Sequence, residues 1–331
     1  MCIRDSNYSR VDLEPRSVLR DSKGKVIVEL ARPDLKRLYE TGWKMPERFT
    51  VKAKDGVTDL YGVMWKPVDF DSTRRYPIIS YVYPGPQTEA QTLDFSPSGV
   101  YNNALAQVGF IVVNFGHRGG SPQRDKWYHT YGHDNLRDYA LADDKYGIEQ
   151  LADRYPFINI EKVGIFGHSG GGFMSTAALC TYPDFYTAAV SSAGNHDNNI
   201  YNKWWGETHH GVKEVKKTVK DSVNGEQEEI GFQTKIPTNQ ELAKNFKGYL
   251  LLVTGDFDNN VHPGNTLRMA DALIRAGKNF DLVVLPGQRH GFRGIQQDFY
   301  QRKMWFHFAK YLLGDSSADT YYQIDGFNRR N

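Results

Sequence analysis

One serine in this 331-residue chain stands where a side chain could act as a nucleophile. Ser169 lies in the pattern Gly-x-Ser-x-Gly, between Gly167 and Gly171. Apolar residues precede the pattern, and small and apolar residues at helical spacing follow it, which predicts a strand, a sharp turn and a helix. Glycines on both sides let the backbone bend tightly and expose the hydroxyl near the start of the helix. We therefore predict that Ser169 is a nucleophile.

The same turn could instead be a tight connection or a phosphate cradle. It lacks the lysine of G-x-x-x-x-G-K-[ST] and the spacing of G-x-G-x-x-G, so a phosphate site is disfavoured. A single G-x-S-x-G pattern also occurs by chance in many chains. The nucleophile prediction becomes specific only if an acid and a histidine follow later strands in the right order.

An acid and a histidine do follow the last two predicted strands. A serine hydroxyl needs an imidazole to accept its proton and a carboxylate to orient that imidazole. Asp258 comes after the apolar run YLLLVT, and His290 comes after the run FDLVVL. The order Ser169, Asp258, His290 is that of the α/β-hydrolase fold. Asp256, at the same strand end as Asp258, remains the alternative acid.

The rest of the chain alternates strands and helices around this motif. The first two strands surround an Asp-Gly turn, which predicts a hairpin at the edge of the sheet. Helical spacing separates most later strands, so we predict an α/β-hydrolase fold, a mostly parallel eight-stranded sheet with helices on both faces. The strands are expected at residues 48–54, 60–66, 77–83, 110–115, 163–166, 186–192, 249–254 and 280–285.

Composition disfavours several classes of protein. The 41 basic and 39 acidic side chains give a formal net charge of +2, so no electrostatic case for nucleic-acid binding follows. The sequence has no run of about 18 apolar residues that could span a membrane. Cys2 and Cys180 do not form a metal site as a pair, and we expect neither a metal nor a cofactor. The first ten residues have no signal-peptide pattern, the compartment is left open, and a periplasmic or secreted parent protein is compatible with the sequence.

An oxyanion hole is expected beside the nucleophile. The backbone N–H of Gly170, the residue after Ser169, is one predicted donor. Tyr83 ends the third predicted strand, and its phenol could supply the second hydrogen bond. The alternative for Tyr83 is an aromatic side chain of the core.

Five motifs together resemble the catalytic domain of the prolyl oligopeptidase family, nearest its dipeptidyl peptidase IV branch. They are YVYPGP at residues 81–86, FGHRGGS at 115–121, GHSGGG at 167–172, DNNVH at 258–262 and HGF at 290–292. The resemblance covers about residues 45–313 and implies a serine peptidase. Carried over residue by residue, it implies a nucleophile at Ser169, an acid at Asp258, a base at His290, oxyanion donors at Tyr83 and Gly170, a ligand for the substrate carbonyl at Asn260, and a wall of the primary pocket at Val261.

Two departures from that family concern the substrate. Members near dipeptidyl peptidase IV carry a tryptophan and tyrosines after the strand that follows the elbow helix, where they grip proline. Here the corresponding residues 191–201 read SSAGNHDNNIY, so the sequence leaves residue preference open. The family also places a β-propeller before the hydrolase domain, and the propeller is missing from this chain.

The domain prediction follows from these patterns. Residues 1–45 are expected to be a linker and remnant of an upstream β-propeller, because an isolated strand needs partners to be stable. Residues 46–314 form the predicted peptidase domain, with an insertion at about 193–246 whose charge-dense part is expected to be a solvated helix or mobile excursion. Residues 315–331 are expected to be a C-terminal tail.

The predicted function is serine-type hydrolysis of oligopeptides through an acyl-enzyme on Ser169. A carboxylesterase or acyl-peptide hydrolase is the enzymatic alternative, since the same triad serves both reactions. A hydrolase-like binding domain is the non-enzymatic alternative. The expected partner is an oligopeptide substrate, and a homodimer is left open.

Overall fold

An eight-stranded mixed sheet forms the centre of the chain. The computed structural model describes residues 4–91, 93–99, 101–221 and 225–317. Strand β5 is antiparallel to both its neighbours, and the remaining neighbouring strands pair in parallel. In sheet order the strands are β13 (Asp281–Leu285), β12 (Tyr249–Gly255), β9 (Tyr186–Ser192), β8 (Ile158–His168), β6 (Tyr76–Tyr81), β7 (Ile111–Phe115), β5 (Asp59–Trp65) and β4 (Glu47–Lys52).

Helices cover both faces of this sheet. Neighbouring residues of one strand pack into different hydrophobic clusters, as Ile78 and Ile79 of β6 do, because successive side chains point to opposite faces. Buried side chains of α4, α5 and α7 join the first cluster, and those of α2 and α8 join the second. The helices are α2 (Asn102–Ala106), α3 (Lys126–Thr130), α4 (Leu141–Arg154), α5 (Gly170–Thr181), α6 (Lys203–His209), α7 (Gly264–Arg275) and α8 (Gly294–Phe308), which continues as a π-helical turn (Ala309–Leu313).

The predicted α/β-hydrolase fold is confirmed. All eight strands occur within a few residues of their predicted bounds, because strands covered on both faces are continuous apolar runs that the sequence displays directly. Apolar residues at helical spacing predict a helix over residues 135–155, and the helix begins later, at Leu141. Helices α3 and α6 were not predicted, and both are short. Most of the predicted tail, residues 318–331, lies outside the described residues, as does Cys2.

A separate antiparallel sheet precedes the domain. It consists of β1 (Arg4–Arg10), β2 (Leu13–Arg20) and β3 (Val26–Ala31), and α1 (Lys36–Glu40) follows it. The apolar residues 26–30 predict only the third of these strands, and β1 and β2 were not predicted. The apolar side chains of β3 are exposed, with Ile27 at 55% and Leu30 at 56%, so this strand has little cover from the described chain.

The insertion contains a β-hairpin, so the predicted solvated helix is wrong, and the alternative of a mobile excursion stays a prediction. Strands β10 (Lys213–Asp221) and β11 (Gly225–Gln233) pair only with each other in the described chain. Lys217 lies opposite Glu229, and Lys216 Nζ lies 3.0 Å from Glu228 Oε2. Opposite charges on facing strands stabilise a hairpin. The mixed-sign run therefore reflects pairing between strands and not a solvated helix.

Buried histidines predict that acid destabilises the fold. Burial lowers the pKa of His196 to about 3, from 6.5. Because the unfolded chain binds this proton at a higher pH than the native chain, the free energy of unfolding should fall as pH drops from about 6.5 towards 3. We expect His196 alone to cost on the order of 2 kcal/mol between pH 7 and 4.5. Chemical denaturation at the two pH values measures this change.

The matched variant for this prediction is His196→Gln. His196 Nδ1 lies 3.0 Å from Asn239 Nδ2, and a glutamine carbonyl can accept that hydrogen bond without titrating. We expect the variant to lose less stability than the parent chain on acidification. An identical loss in both chains would contradict the assignment to His196.

Candidate active site

Ser169 lies at the turn between β8 and α5, in a backbone conformation that few non-glycine residues adopt. Its φ is 57° and its ψ is −120°. A Cβ at Gly167 would lie 2.4 Å from the carbonyl oxygen of Val82, and a Cβ at Gly171 would lie 2.0 Å from the same atom. Only glycine fits at these two positions. The flanking glycines of the sequence motif therefore allow strand β6 to approach a strained turn that presents a single serine.

Asp258 and His290 meet across two loops that are distant in sequence. Asp258 follows β12, and its Oδ2 lies 2.8 Å from Nδ1 of His290, which follows β13. Its Oδ1 accepts hydrogen bonds from the backbone N–H groups of Asn260 and Val261, both at 2.9 Å. These contacts fix the orientation of the carboxylate. The alternative acid, Asp256, is exposed and makes no side-chain contact with His290 in the described chain.

The electrostatics of this pair favour an ionised carboxylate. Burial by itself raises the pKa of Asp258, but the hydrogen bond from His290 and those from the Asn260 and Val261 backbone outweigh burial and lower the pKa below its usual value. An ionised Asp258 holds the proton of His290 on Nδ1. The Nε2 atom is then free to accept a proton.

The Ser169 hydroxyl and His290 Nε2 make no hydrogen bond with each other or with any other side chain in the described ranges. The two residues lie in the same region nonetheless, because His168 precedes Ser169 in the chain and its ring packs against that of His290. The ring centroid of His168, the residue before Ser169, lies 4.8 Å from that of His290. Hydrogen bonds of catalytic groups often tighten only when substrate is bound. We therefore expect a hydrogen bond between Ser169 and His290 to form when substrate is bound.

His168 packs against His290, the predicted base. Its Nδ1 lies 2.9 Å from Ser192 Oγ, and Tyr300 donates its hydroxyl to the same oxygen at 3.1 Å. Burial and the neighbouring His290 lower the pKa of His168 to about 4. A neutral, anchored ring thus packs against His290. The sequence gave no indication of this contact.

A small pocket of about 100 Å³ opens beside Ser169. Predicted residues Tyr83, Gly170 and Asn260 line it. Val261, predicted as a pocket wall, is buried at 2% exposure and is not among the lining residues. Its backbone holds Asp258 instead.

The sequence analysis did not predict two aromatic side chains that line the pocket. Tyr201 and Trp205 line it and pack edge to face, with ring centroids 5.6 Å apart. Tyr201 donates its hydroxyl to Asn260 Oδ1 at 2.6 Å, which joins the insertion to the loop that carries Asp258. The stretch compared with the family ended at residue 201. The next residues, Asn-Lys-Trp-Trp, carry the tryptophan of the pocket, and they are the signal by which the sequence could have indicated it.

The two predicted oxyanion donors face this pocket from different elements. Gly170 begins α5, where backbone N–H groups lack intrahelical partners. Tyr83 follows β6, and a Cβ at Gly85 would lie 2.8 Å from its ring, so a glycine is needed there for the ring to keep its position. Tyr139 donates its hydroxyl to the carbonyl of Pro84 and fixes the same loop.

The family motif at residues 115–121 forms a buried network behind the site. His117 Nε2 lies 3.0 Å from Asp144 Oδ1, and Arg118 contacts both Asp143 and Asp55. His117 is buried at 2% exposure. These side chains connect strands to α4 and do not reach Ser169.

Comparison with known proteins places this site in a family. The model of the prolyl oligopeptidase family matches residues 98–316, which is more than half of the chain. The chain belongs to the prolyl oligopeptidase family. The resemblance read from the five motifs is confirmed, and with it a family of serine peptidases.

Individual members of the prolyl oligopeptidase family match over most of this chain. Human dipeptidyl peptidase 8 is 29% identical over 275 residues, which are 82% of this chain and 29% of the relative. Mouse prolyl endopeptidase FAP is 25% identical over 270 residues, 81% of this chain and 33% of the relative. The chain therefore spans about a third of the length of these relatives.

Two solved structures share the fold of this chain. A Bacteroides ovatus protein assigned as a dipeptidyl aminopeptidase IV aligns with a TM-score of 0.78 and 26% identity, over 94% of this chain and 43% of that one. Porphyromonas gingivalis dipeptidyl peptidase 4 aligns with a TM-score of 0.74 and 24% identity, over 92% and 42%.

In the ranges that the structure describes, no three His, Cys, Asp or Glu side chains come together as metal ligands could. No helix within those ranges has the length and apolar character needed to cross a bilayer.

Proposed function

We propose that this chain hydrolyses peptide bonds through an acyl-enzyme on Ser169. The observation that carries the proposal is the oriented Asp258–His290 pair, which lies beside a serine held at a strained strand-to-helix turn. Membership of a serine peptidase family supports the same reaction. The activity of the longer relatives is not transferred directly, because this chain spans only part of them.

The geometry supports a two-step mechanism. Ser169 Oγ attacks the peptide carbonyl carbon while its proton passes to Nε2 of His290, and Asp258 stabilises the imidazolium that forms. The developing oxyanion accepts hydrogen bonds from the Gly170 N–H and the Tyr83 hydroxyl. Collapse releases the amine, which takes the proton from His290. Water, activated by the same imidazole, then hydrolyses the ester on Ser169.

The small aromatic pocket favours a small apolar residue on the acyl side of the scissile bond. The pocket has a volume of about 100 Å³ and is lined by the aromatic rings of Tyr83, Tyr201 and Trp205, which suit a compact apolar side chain. The relatives are named for dipeptidyl and prolyl peptidase activity, and a proline ring is a compact apolar group. We propose proline or alanine at this position. Asn260, held by Tyr201, is positioned to donate its amide to a substrate carbonyl.

A direct comparison of substrates tests the proposal. We expect faster turnover of a proline or alanine anilide than of a leucine or phenylalanine anilide, and labelling of Ser169 by a fluorophosphonate probe. Cleavage of short acyl esters without any anilide cleavage would favour the carboxylesterase alternative. Absence of labelling would favour a binding domain.

The domain boundaries are also proposals. We propose that residues 46–314 form the peptidase domain and that the exposed apolar strand β3 belongs to an upstream β-propeller in the parent protein. We propose residues 315–331 as a tail. A homodimer of the parent protein is compatible with this arrangement, and sedimentation of the full-length protein would test it.

Tyr83→Phe should reduce the rate of peptide hydrolysis by about 10²- to 10³-fold, because one oxyanion donor is lost. The matched control is Tyr81→Phe. Tyr81 packs against Phe166 and does not line the pocket, so its phenol should be dispensable. Steady-state kcat for both variants measures the difference. If kcat falls by less than about threefold in Tyr83→Phe, Tyr83 is not an oxyanion donor and its ring serves only packing.

A further inference from the structure

A second, larger cavity lies along the other half of the sheet. Its volume is about 920 Å³, and it runs beside β4, an end strand of the sheet, to the loops that follow β6 and β7. Its charged lining residues within the described chain are one glutamate, Glu89, and four arginines, Arg10, Arg48, Arg124 and Arg154. Such a cavity has the size of a ligand site and a strongly basic wall.

Two of these arginines have no carboxylate partner among the described residues. Arg124 donates to the carbonyl oxygen of Asp59 at 2.9 Å, and its guanidinium lies 4.3 Å from the ring centroid of Tyr128. Arg154 donates to the carbonyl oxygen of Thr50 at 3.0 Å. Contacts with neutral groups position both guanidinium groups and leave their charge unbalanced. Planar arginine forks held in this way suit carboxylates.

The other two arginines share a single acid. Arg10 contacts Asp12, and Arg48 Nη1 lies 3.7 Å from the same carboxylate, while the Arg48 side chain stays 52% exposed. Glu89, the acidic residue of the lining, receives a hydrogen bond from the Tyr128 hydroxyl. Counting both acids, the cavity retains excess positive charge.

The backbone edge of β4 is largely occupied. Gln150 of α4 accepts from the Lys52 N–H at 2.8 Å and donates to the Lys52 carbonyl oxygen at 2.7 Å. Arg154 occupies the Thr50 carbonyl oxygen. A ligand in this cavity would therefore be recognised by side-chain charge more than by addition of a strand to the edge.

One loop joins this cavity to the active-site pocket. Tyr83 lines the small pocket, Gln87 lines both, and Glu89 lines the arginine cavity. Glu89 is six positions after Tyr83 in the sequence, and an extended chain of that length spans at most about 20 Å. Arg124 stacks on Tyr128, whose hydroxyl contacts Glu89, so a peptide with its scissile bond at Ser169 can approach the arginine cavity from this side with residues a few positions away.

We propose that the arginine cavity binds the acidic segment of a peptide substrate. The inference rests on the peptidase function proposed above and adds its substrate class, which is peptides with carboxylate side chains within about six residues of the scissile bond. The arginines act as binding residues that raise affinity for such peptides, and Ser169 performs the same reaction on them.

Binding to the Ser169→Ala chain tests this without turnover. The probes are fluorescent peptides with one proline and a tail of three glutamates or three glutamines, placed on either side of the proline. We expect the glutamate peptide, on at least one side, to bind about tenfold more tightly at 50 mM NaCl, with the advantage reduced at 300 mM because salt screens the charges. Fluorescence anisotropy measures both affinities.

Two variants assign the effect to the cavity. Arg48→Gln combined with Arg154→Gln should remove most of the preference for glutamate, and Arg48→Glu, at a half-exposed position, should remove it by charge reversal. Arg275→Gln is the matched control, since Arg275 pairs with Asp271 on α7 and lines neither cavity, and it should keep the preference. Equal binding of the two tails, or a preference that survives both cavity variants, would overturn the proposal. Because binding is the readout, a failure of peptide hydrolysis is observed separately.

Discussion

Ser169→Ala is expected to lower kcat for peptide hydrolysis by about 10⁶-fold. The hydroxyl is the only nucleophile proposed at this site, and removal of the corresponding group from a serine–histidine–aspartate relay leaves only what binding and the oxyanion hole contribute, about 10³- to 10⁴-fold over water. Fluorophosphonate labelling should disappear together with turnover. Labelling that persists in Ser169→Ala would remove this residue from its proposed role.

The strained turn provides the control for this variant. Alanine carries a Cβ as serine does, so Ser169→Ala should leave the free energy of unfolding nearly unchanged. Ser169→Gly also removes the hydroxyl but accepts a φ of 57° without strain, and it should stabilise the chain by about 1 kcal/mol. If both variants are equally inactive but only Ser169→Gly is more stable than the parent chain, the loss of activity is due to the missing hydroxyl and not to a change in folding.

Asp258→Asn should lower kcat by about 10⁴-fold at neutral pH. Two backbone N–H groups hold Oδ1, so the asparagine oxygen would take that position and its amide nitrogen would face His290 Nδ1. An amide donor at this point forces the proton of His290 onto Nε2, which can then no longer accept the proton of Ser169. The pH dependence of kcat/KM, measured beside the rate, should lose the limb that reports the base.

Asp256→Asn is the matched control for that change. Asp256 lies at the same strand end and carries the same charge, but it is exposed and has no contact with His290 in the described chain. Its substitution should leave kcat within about threefold of the parent value. A larger loss in Asp256→Asn than in Asp258→Asn would reverse the assignment of the acid.

The β-hairpin of the insertion is an element that the sequence pattern could not predict. The charges of residues 213–229 fit a solvated helix as well as a hairpin, because a single strand of alternating or mixed charges does not identify its partner. Only the register of Lys217 opposite Glu229 distinguishes the two. In the same way, Trp205 could not be assigned to the pocket until α6 was seen to bring it against Tyr201.

The amino-acid sequence by itself determined the eight strands, the turn at Ser169 and the order of the proposed triad. The strands and the turn depend on the spacing of residues that are close along the chain, where apolar periodicity and glycine positions act directly on the backbone. The order of the triad follows from which strand ends carry an acid and a histidine. The tertiary structure alone decided that Asp258 and not Asp256 contacts His290, that His168 packs against that ring, and that arginines from separate elements share one cavity. These contacts join residues far apart in sequence, and their geometry depends on how loops close over a packed sheet rather than on any local pattern.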